Sequence, residues 1–224
     1  MRLILADSHA MLRTGVRVLL QGEPQLEIVE AADAHELLEH AAQAPAPSAA
    51  LIDLDLPPQG ATAAVSCLRD YSVAPVVWSH GSRLTPDVVY EVVRSGAVGV
   101  LRKEIAPSGL VRSLRTIANG QAPLSRDLAA LLVARIHSLD SQMLAATQVA
   151  ALSSREQQVL ALIADGRSNK MIAAELSISE STAKRHVQTV LNKFSLHNRR
   201  DAAERFRAAL QATVATDPAE TNAP

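Results

Sequence analysis

A single cysteine, Cys67, is all the thiol in this 224-residue chain. That excludes a disulfide within the chain and any cysteine-rich zinc site. Long apolar runs are missing too, none approaching the roughly 20 residues a bilayer needs. The opening Met1-Arg2-Leu3-Ile4-Leu5-Ala6-Asp7 is too short and too soon acidic for a signal peptide. Neither sign of charge dominates, with 22 basic and 23 acidic side chains and a net charge of −1. Outside His186, the histidines show no metal-ligand spacing. What is present is ordinary for a globular protein, 48% apolar and 20% charged residues, enough for a packed core and too apolar for wholesale disorder. The expectation is a soluble cytoplasmic chain without membrane association. At about 100–200 residues per domain it holds one large domain or two small ones.

The charges are unevenly spread. Residues 1–120 carry 10 basic and 13 acidic side chains, whereas residues 149–224 carry 10 basic and 8 acidic. Within 179–207 the count is 7 basic to 3 acidic. An acidic front and a basic patch near the end imply separate tasks.

The front alternates two periodicities. Short apolar runs at 2–6, 26–29, 49–54, 76–79 and 98–101 predict strands, and helical patterns follow at 11–20, 34–44, 62–69, 86–95 and 108–119. In the first helix Met11, Leu12, Val16, Leu19 and Leu20 are read as one buried face, and Cys67 as core in the third. Five βα units predict a parallel sheet covered on both faces, with its ligand outside the carboxyl ends of the strands. The polar residues at those ends are Asp7 and Ser8, Asp53 and Asp55, Ser79 (with Ser82 close behind), and Arg102 and Lys103. Two carboxylates, a hydroxyl and a lysine converging there suit Mg²⁺, which takes oxygen ligands and phosphate. A carboxylate in that setting is also a phosphoryl acceptor, its charge neutralised by lysine and metal.

Asp7-Ser8-His9-Ala10-Met11-Leu12-Arg13, Leu51-Ile52-Asp53-Leu54-Asp55-Leu56-Pro57 and Gly96-Ala97-Val98-Gly99-Val100-Leu101-Arg102-Lys103 resemble the three signature segments of NarL/FixJ-type response-regulator receivers. The resemblance implies a flavodoxin-like receiver in which Asp53 accepts phosphate from a sensor histidine kinase. Asp7 and Asp53 would hold Mg²⁺, with Asp55 as a further ligand, while Ser79 and Lys103 contact the phosphoryl group. Three positions depart from the pattern. Ser8 replaces a second acid, which predicts weaker Mg²⁺ binding; Val100 replaces an aromatic residue; and Pro57-Pro58-Gln59-Gly60 replaces an Asn-Gly or Asp-Gly loop.

After Gly120 the strand signals stop. A helix is expected over 126–149, with a flexible stretch near 138–147. Ser153-Ser154-Arg155-Glu156 has the form of a capping box, Gly166 ends the helix it starts, and Ser168 and Ser179 cap two more, over 169–176 and 180–194. A short helix, a tight turn and a longer basic helix form a helix-turn-helix pattern. Lys184, Arg185 and Gln188 share one face of the second helix, opposite Val187, Val190, Leu191 and Phe194. Leu152-Ser153-x-Arg155-Glu156, Ser168-Asn169-Lys170-x-Ile172-Ala173 and Ile178-Ser179-x-Ser181-Thr182-Ala183-Lys184-x-His186-Val187 are similar to the LuxR-type helix-turn-helix over about 50 residues. The similarity implies double-stranded DNA as partner, with Ser181, Thr182, Lys184, Arg185, Gln188 and Lys193 as contacts. It also makes a helix over 200–210 the dimerisation element. The arginines 199, 200, 205 and 207 are either a solvated face or phosphate contacts.

The expected architecture is thus an α/β five-stranded parallel-sheet receiver (1–120), a helical linker (121–149), an all-α helix-turn-helix domain (150–212) and a disordered tail (213–224). The expected function is a two-component DNA-binding transcription regulator, not an enzyme, that dimerises when Asp53 is phosphorylated. The alternative is the same regulator with a receiver switched by protein contacts or a small molecule. Asp53-Leu54-Asp55 also fits the opening motif of haloacid-dehalogenase-type phosphatases, but that motif belongs first in the chain and needs a late acidic pair.

Overall fold

The computed structural model describes residues 1–216 except 24, 44, 46 and 47, with side chains described to residue 212. The chain folds as two units that meet in sequence at Arg135 and Ile136.

The first unit alternates β1 (Arg2–Ala6), α1 (Ala10–Leu20), β2 (Glu27–Ala31), α2 (Ala34–Ala42), β3 (Ala49–Asp53), α3 (Ala61–Cys67), β4 (Ala74–Ser79), α4 (Pro86–Ser95), β5 (Gly99–Arg102) and α5 (Pro107–Ala118). All neighbouring strands are parallel, in the order β2-β1-β3-β4-β5. Because side chains alternate across a strand, each central strand feeds two cores. Leu3, Leu5, Leu51, Val76, Trp78 and Leu101 pack with α1 and α5. Ile4, Ile52, Val77 and Val100 pack with α2, α3 and α4 on the opposite face. This double coverage is why the strands read as continuous apolar runs rather than alternating ones.

Three expectations are corrected here. In α1 the buried line is Val16 and Leu20, with Leu12 partly covered, while Met11 is 91% exposed and Leu19 is also at the surface. The 12-16-20 line follows the four-residue spacing of one helical face, and Met11 and Leu19 fall beside it. Cys67 is exposed rather than core, since Ala61, Ala64, Val65 and Leu68 form the inward side there. The third correction concerns α6 (Arg126–Ala150), which runs unbroken through the stretch expected to flex. It contains neither glycine nor proline, so nothing interrupts its hydrogen bonding.

The second unit is helical: the later turns of α6, then α7 (Ser154–Ala164), α8 (Asn169–Glu175), α9 (Glu180–Lys193) and α10 (Arg199–Thr216). The expected caps form. Ser153 and Glu156 make the reciprocal capping box, Ser168 accepts from Met171 N–H, and Ser179 accepts from Thr182 N–H. The helix-turn-helix is α8 and α9, joined through Ser177, whose φ of 53° provides the sharp turn. Leu160, Ile163, Ile172, Val187, Val190 and Phe194 form one core under both helices. α10 reaches Thr216, so the first four residues of the expected tail are helical, and the rest of that tail lies outside the described residues.

Glu156 ties this core to α9, its carboxylate accepting from Ser153 N–H at 2.9 Å and from Lys193 Nζ at 2.7 Å. The Lys193 ammonium is the main cause that holds Glu156 down at about 2 against a usual 4.5. A carboxylate depressed in this way stabilises the fold above its unfolded value and loses that contribution as pH falls toward the folded one. The helix-turn-helix unit should therefore lose stability between about pH 4.5 and pH 2 with a component that Glu156→Gln removes. Amide exchange of α7 and α9, followed as a function of pH, checks this. Parallel losses in wild type and variant would show that the carboxylate is not engaged.

Candidate functional site

The carboxyl edge of the sheet gathers the polar strand ends. Asp7 follows β1 and is fully buried, Asp53 closes β3, and Ser79 closes β4 and is buried beside them. The register sets Asp53 opposite Trp78, and Ser79 opposite Arg102, which precedes Lys103. Lys103 then turns back: its N–H donates to Ser79 O at 2.8 Å. Its Nζ lies 2.7 Å from Asp7 Oδ2 and 2.9 Å from Asp53 Oδ1, with the side chain only 7% exposed. The ammonium also sits 5.2 Å from the centre of the Trp78 ring, a favourable position over an aromatic face.

The electrostatics follow from this packing. Burial pushes Asp7 up, but hydrogen bonds from Lys103, from His9 N–H and from the His9 ring outweigh it, and the carboxyl titrates below its usual range. Burial pulls Lys103 down, but the two carboxylates outweigh it and hold the ammonium charged above its usual value. The site is a closed ionic triad with one surplus negative charge.

The sequence reading placed Asp7, Asp53, Ser79 and Lys103 at one edge, and all four lie there. Asp55 is engaged elsewhere, its Oδ1 taken by Arg83 Nη2 at 2.9 Å. His9 has no histidine or cysteine at ligand spacing in the sequence, yet it joins the site. Its Nδ1 is 3.0 Å from Asp7 Oδ1, and one donor atom from each of Asp7, His9 and Asp53 lies within 4.8 Å of the others. The only available signal was its place two residues beyond Asp7. The donor set, two buried carboxylates and an imidazole, fits a divalent cation with one carboxylate fewer than two adjacent acids would supply.

In the second unit Lys184, Arg185 and Gln188 are exposed on one side of α9 while Ala183, Val187, Val190 and Leu191 are buried on the other. Gln188 Nε2 donates to Asn192 Oδ1 at 2.9 Å. Ser181 and Thr182 share the cap, their hydroxyls 2.9 and 2.8 Å from Ser179 Oγ. Lys193, past the exposed trio and itself half exposed, is paired with Glu156. Two of the four late arginines are structural: Arg199 donates to Asn169 Oδ1 at 2.6 Å and Arg207 to Ala164 O at 3.2 Å. Arg200 pairs with Glu204 on its own helix.

A five-stranded sheet with an aspartate–lysine pocket, followed by a helix-turn-helix with one free basic face, defines a regulator that joins a receiver to a DNA reader. The pattern of the response regulator receiver domain family matches residues 3–115, and that of the bacterial regulatory proteins, luxR family, matches residues 150–206. The chain belongs to this family of DNA-binding two-component response regulators of the LuxR/NarL type. It is 36% identical over 202 residues to the nitrate/nitrite response regulator protein NarL of Escherichia coli, covering 90% of this chain and 92% of that one. It is 31% identical over 205 residues to the transcriptional regulatory protein LiaR of Bacillus subtilis, covering 90% and 94%. Among solved structures, the Salmonella typhimurium RcsB response regulator aligns at a TM-score of 0.56 with 20% identity, over 93% of this chain and 99% of that one, a likeness of fold. A LuxR-family response regulator from Aurantimonas aligns at 0.53 with 27% identity, over 59% and 94%. Among the described residues no helix is long and apolar enough to cross a membrane.

Replacing Lys103 with Met removes the ammonium that, among the described residues, pairs with both buried carboxylates. Breaking such a pair costs about 3 kcal/mol, so Lys103→Met should shift urea unfolding of the first unit by that amount. Trp78, the one tryptophan, reports the transition by fluorescence. A shift below about 1 kcal/mol would mean that the triad is not formed in solution.

Proposed function

We propose that this regulator is switched by phosphorylation of Asp53 and that its α9 helix reads the major groove of double-stranded DNA. The observation that carries the reading is the Asp7–Lys103–Asp53 triad, which holds a buried carboxylate beside a positive charge at the ligand-binding edge of the sheet. An Asp53 oxygen attacks the phosphorus of a phosphodonor, a histidine kinase or acetyl phosphate, forming an acyl phosphate as the donor's bond to phosphorus breaks. Lys103 neutralises the incoming charge, and Ser79 lies at the strand end where its hydroxyl meets a phosphoryl oxygen. Asp7 and Asp53, with His9 beside them, would hold Mg²⁺, which supplies charge neutralisation on the transferred group. Asp55, already paired with Arg83, is the weakest of the proposed ligands.

Lys184, Arg185 and Gln188 are the base- and phosphate-reaching side chains, since they alone of the proposed set are both exposed and outside the cap network and the Glu156 pair. Ser181 and Thr182 stand at the helix N-terminus, where hydroxyls and N–H groups meet phosphate. Two copies bound through α10 would address half-sites about one helical turn apart. A second reading is favoured by Ser8: with one acid fewer at the metal site, the receiver switches through protein contacts and takes no phosphate.

Intact mass after incubation with acetyl phosphate and Mg²⁺ separates the two readings. Phosphorylation predicts one added phosphoryl group in the wild type and none in Asp53→Ala. No addition, also with a kinase as donor, would favour the phosphate-free reading. DNA binding is tested on its own: Lys184→Ala and Arg185→Ala should each weaken it by about 1–3 kcal/mol, and salt should weaken it steeply. Unchanged affinity in both variants would remove α9 from the groove.

A further inference from the structure

The receiver sheet ends at β5, whose outer edge would expose unpaired backbone groups. It is covered by the chain that leads into α6. Val100 N–H donates to Pro123 O at 3.1 Å, and Val100 forms a parallel bridge with Leu124. The approach is so close that a Cβ on Gly99 would lie 2.5 Å from Pro123 Cγ, so only glycine fits there. The first turns of α6 then lie over the face shared by α4 and β5. Leu128 is 1% exposed, in the same apolar cluster as Leu84, Val89, Val92 and Val100, with Leu131 and Leu132 packed against it.

Ionic contacts bracket this seat. Arg102 Nε donates to Asp127 Oδ2 at 3.0 Å, and the Ser125 hydroxyl donates to the other carboxylate oxygen. Just over two turns on, Arg135 Nε lies 2.7 Å from Asp87 of α4 and its guanidinium 6.0 Å from the Tyr90 ring centre. Arg102 and Lys103 are consecutive at the end of β5, yet they hold different partners. Lys103 holds the two aspartates, and Arg102 holds Asp127 while packing on Gly81, where an added Cβ would overlap its guanidinium.

We infer that the first three turns of α6 are a latch on the α4–β5 face, seated by Leu128 against Val100, and that it opens when charge is added at Asp53. The seat stands on its own contacts, and its opening rests on the phosphate reading above. Adding negative charge to Asp53 draws Lys103 toward the new group and shifts the end of β5, so Arg102 changes its grip on Asp127. The same shift moves Val100 beneath Leu128. Because α6 continues unbroken from Arg126 to Ala150, a loosened seat is felt along the helix that leads to the DNA reader.

The test uses the full chain and hydrogen exchange of residues 122–135. Val100→Phe adds volume beneath the latch and should speed exchange of that segment at least tenfold, and Leu128→Ala should also speed it. The double variant, with the volume returned, should exchange more slowly than Val100→Phe alone. A Val100→Phe segment as protected as wild type, or a double variant equal to the product of the two single effects, would overturn the seat. Protection in β1 and β3 serves as the folding control. Beryllofluoride with Mg²⁺ should speed exchange of 122–135 in the wild type. Binding detected by Trp78 fluorescence without faster exchange would overturn the coupling while leaving the seat. Failure to bind at all would remove both the phosphate reading and the coupling, with the seat still decided by the three variants.

Discussion

The buried ammonium of Lys103 is the constraint on which the receiver turns. Asp7 and Asp53 come from strands adjacent in the sheet but 46 residues apart in the chain, and both are removed from water. Two carboxylates that close repel each other and each loses hydration, a combination that costs several kcal/mol per ion unless a cation is supplied. Lys103 supplies it from β5, and reaching the carboxylates fixes the direction in which the chain leaves that strand. The triad therefore orders three strand ends at once. It also stores a response, because the ammonium is held by two partners and any added charge at Asp53 changes how it is shared.

The two units use charge differently. In the receiver it is buried and paired, so it couples strand ends with little screening. In the helix-turn-helix unit Lys184 and Arg185 of α9 stay exposed, and the pairing lies to one side of them: Glu156 with Lys193, and Arg199 and Arg207 on the carbonyls of Arg167 and Ala164. Those pairs restrict which cations remain free to meet a polyanion. A basic stretch of 7 charges over 179–207 is thereby reduced to a short patch on α9 and neighbouring arginines, and net charge alone would have overstated the binding surface.

Much of this was legible in the residues. The alternation of apolar runs and helical stripes specifies the βα order, and from that order parallel-sheet physics alone places Asp7, Asp53, Ser79 and Lys103 at one edge. The caps at Ser153, Ser168 and Ser179 are equally local and were readable for that reason. What failed depended on partners distant in sequence. Asp55 reads as a further metal ligand beside Asp53, and only the fold brings Arg83 to it. His9 carried no ligand spacing because its partners are aspartates. Cys67 and Met11 illustrate another limit, since in a seven- or eleven-residue helix one residue of phase decides inside from outside. The stretch expected to flex near 138–147 stays helical, because continuity depends on the absence of breakers.

Composition hides the segment that matters most for coupling. Residues 121–149 read as a helical linker with Leu128, Leu131 and Leu132 at helical spacing, and nothing in the sequence says what that stripe covers. Here an edge strand needs a cover and an apolar face lies between α4 and β5, so the connector completes the receiver. Gly99 is the residue that permits it, because any side chain at that point would hold Pro123 away from the edge. The connector is thus part of the domain whose state it would report. A covering element held by one backbone hydrogen bond to β5, by Leu128 with its neighbours Leu131 and Leu132, and by two partly exposed ion pairs has fewer ties than a strand within the sheet, as an element that moves during switching has to have.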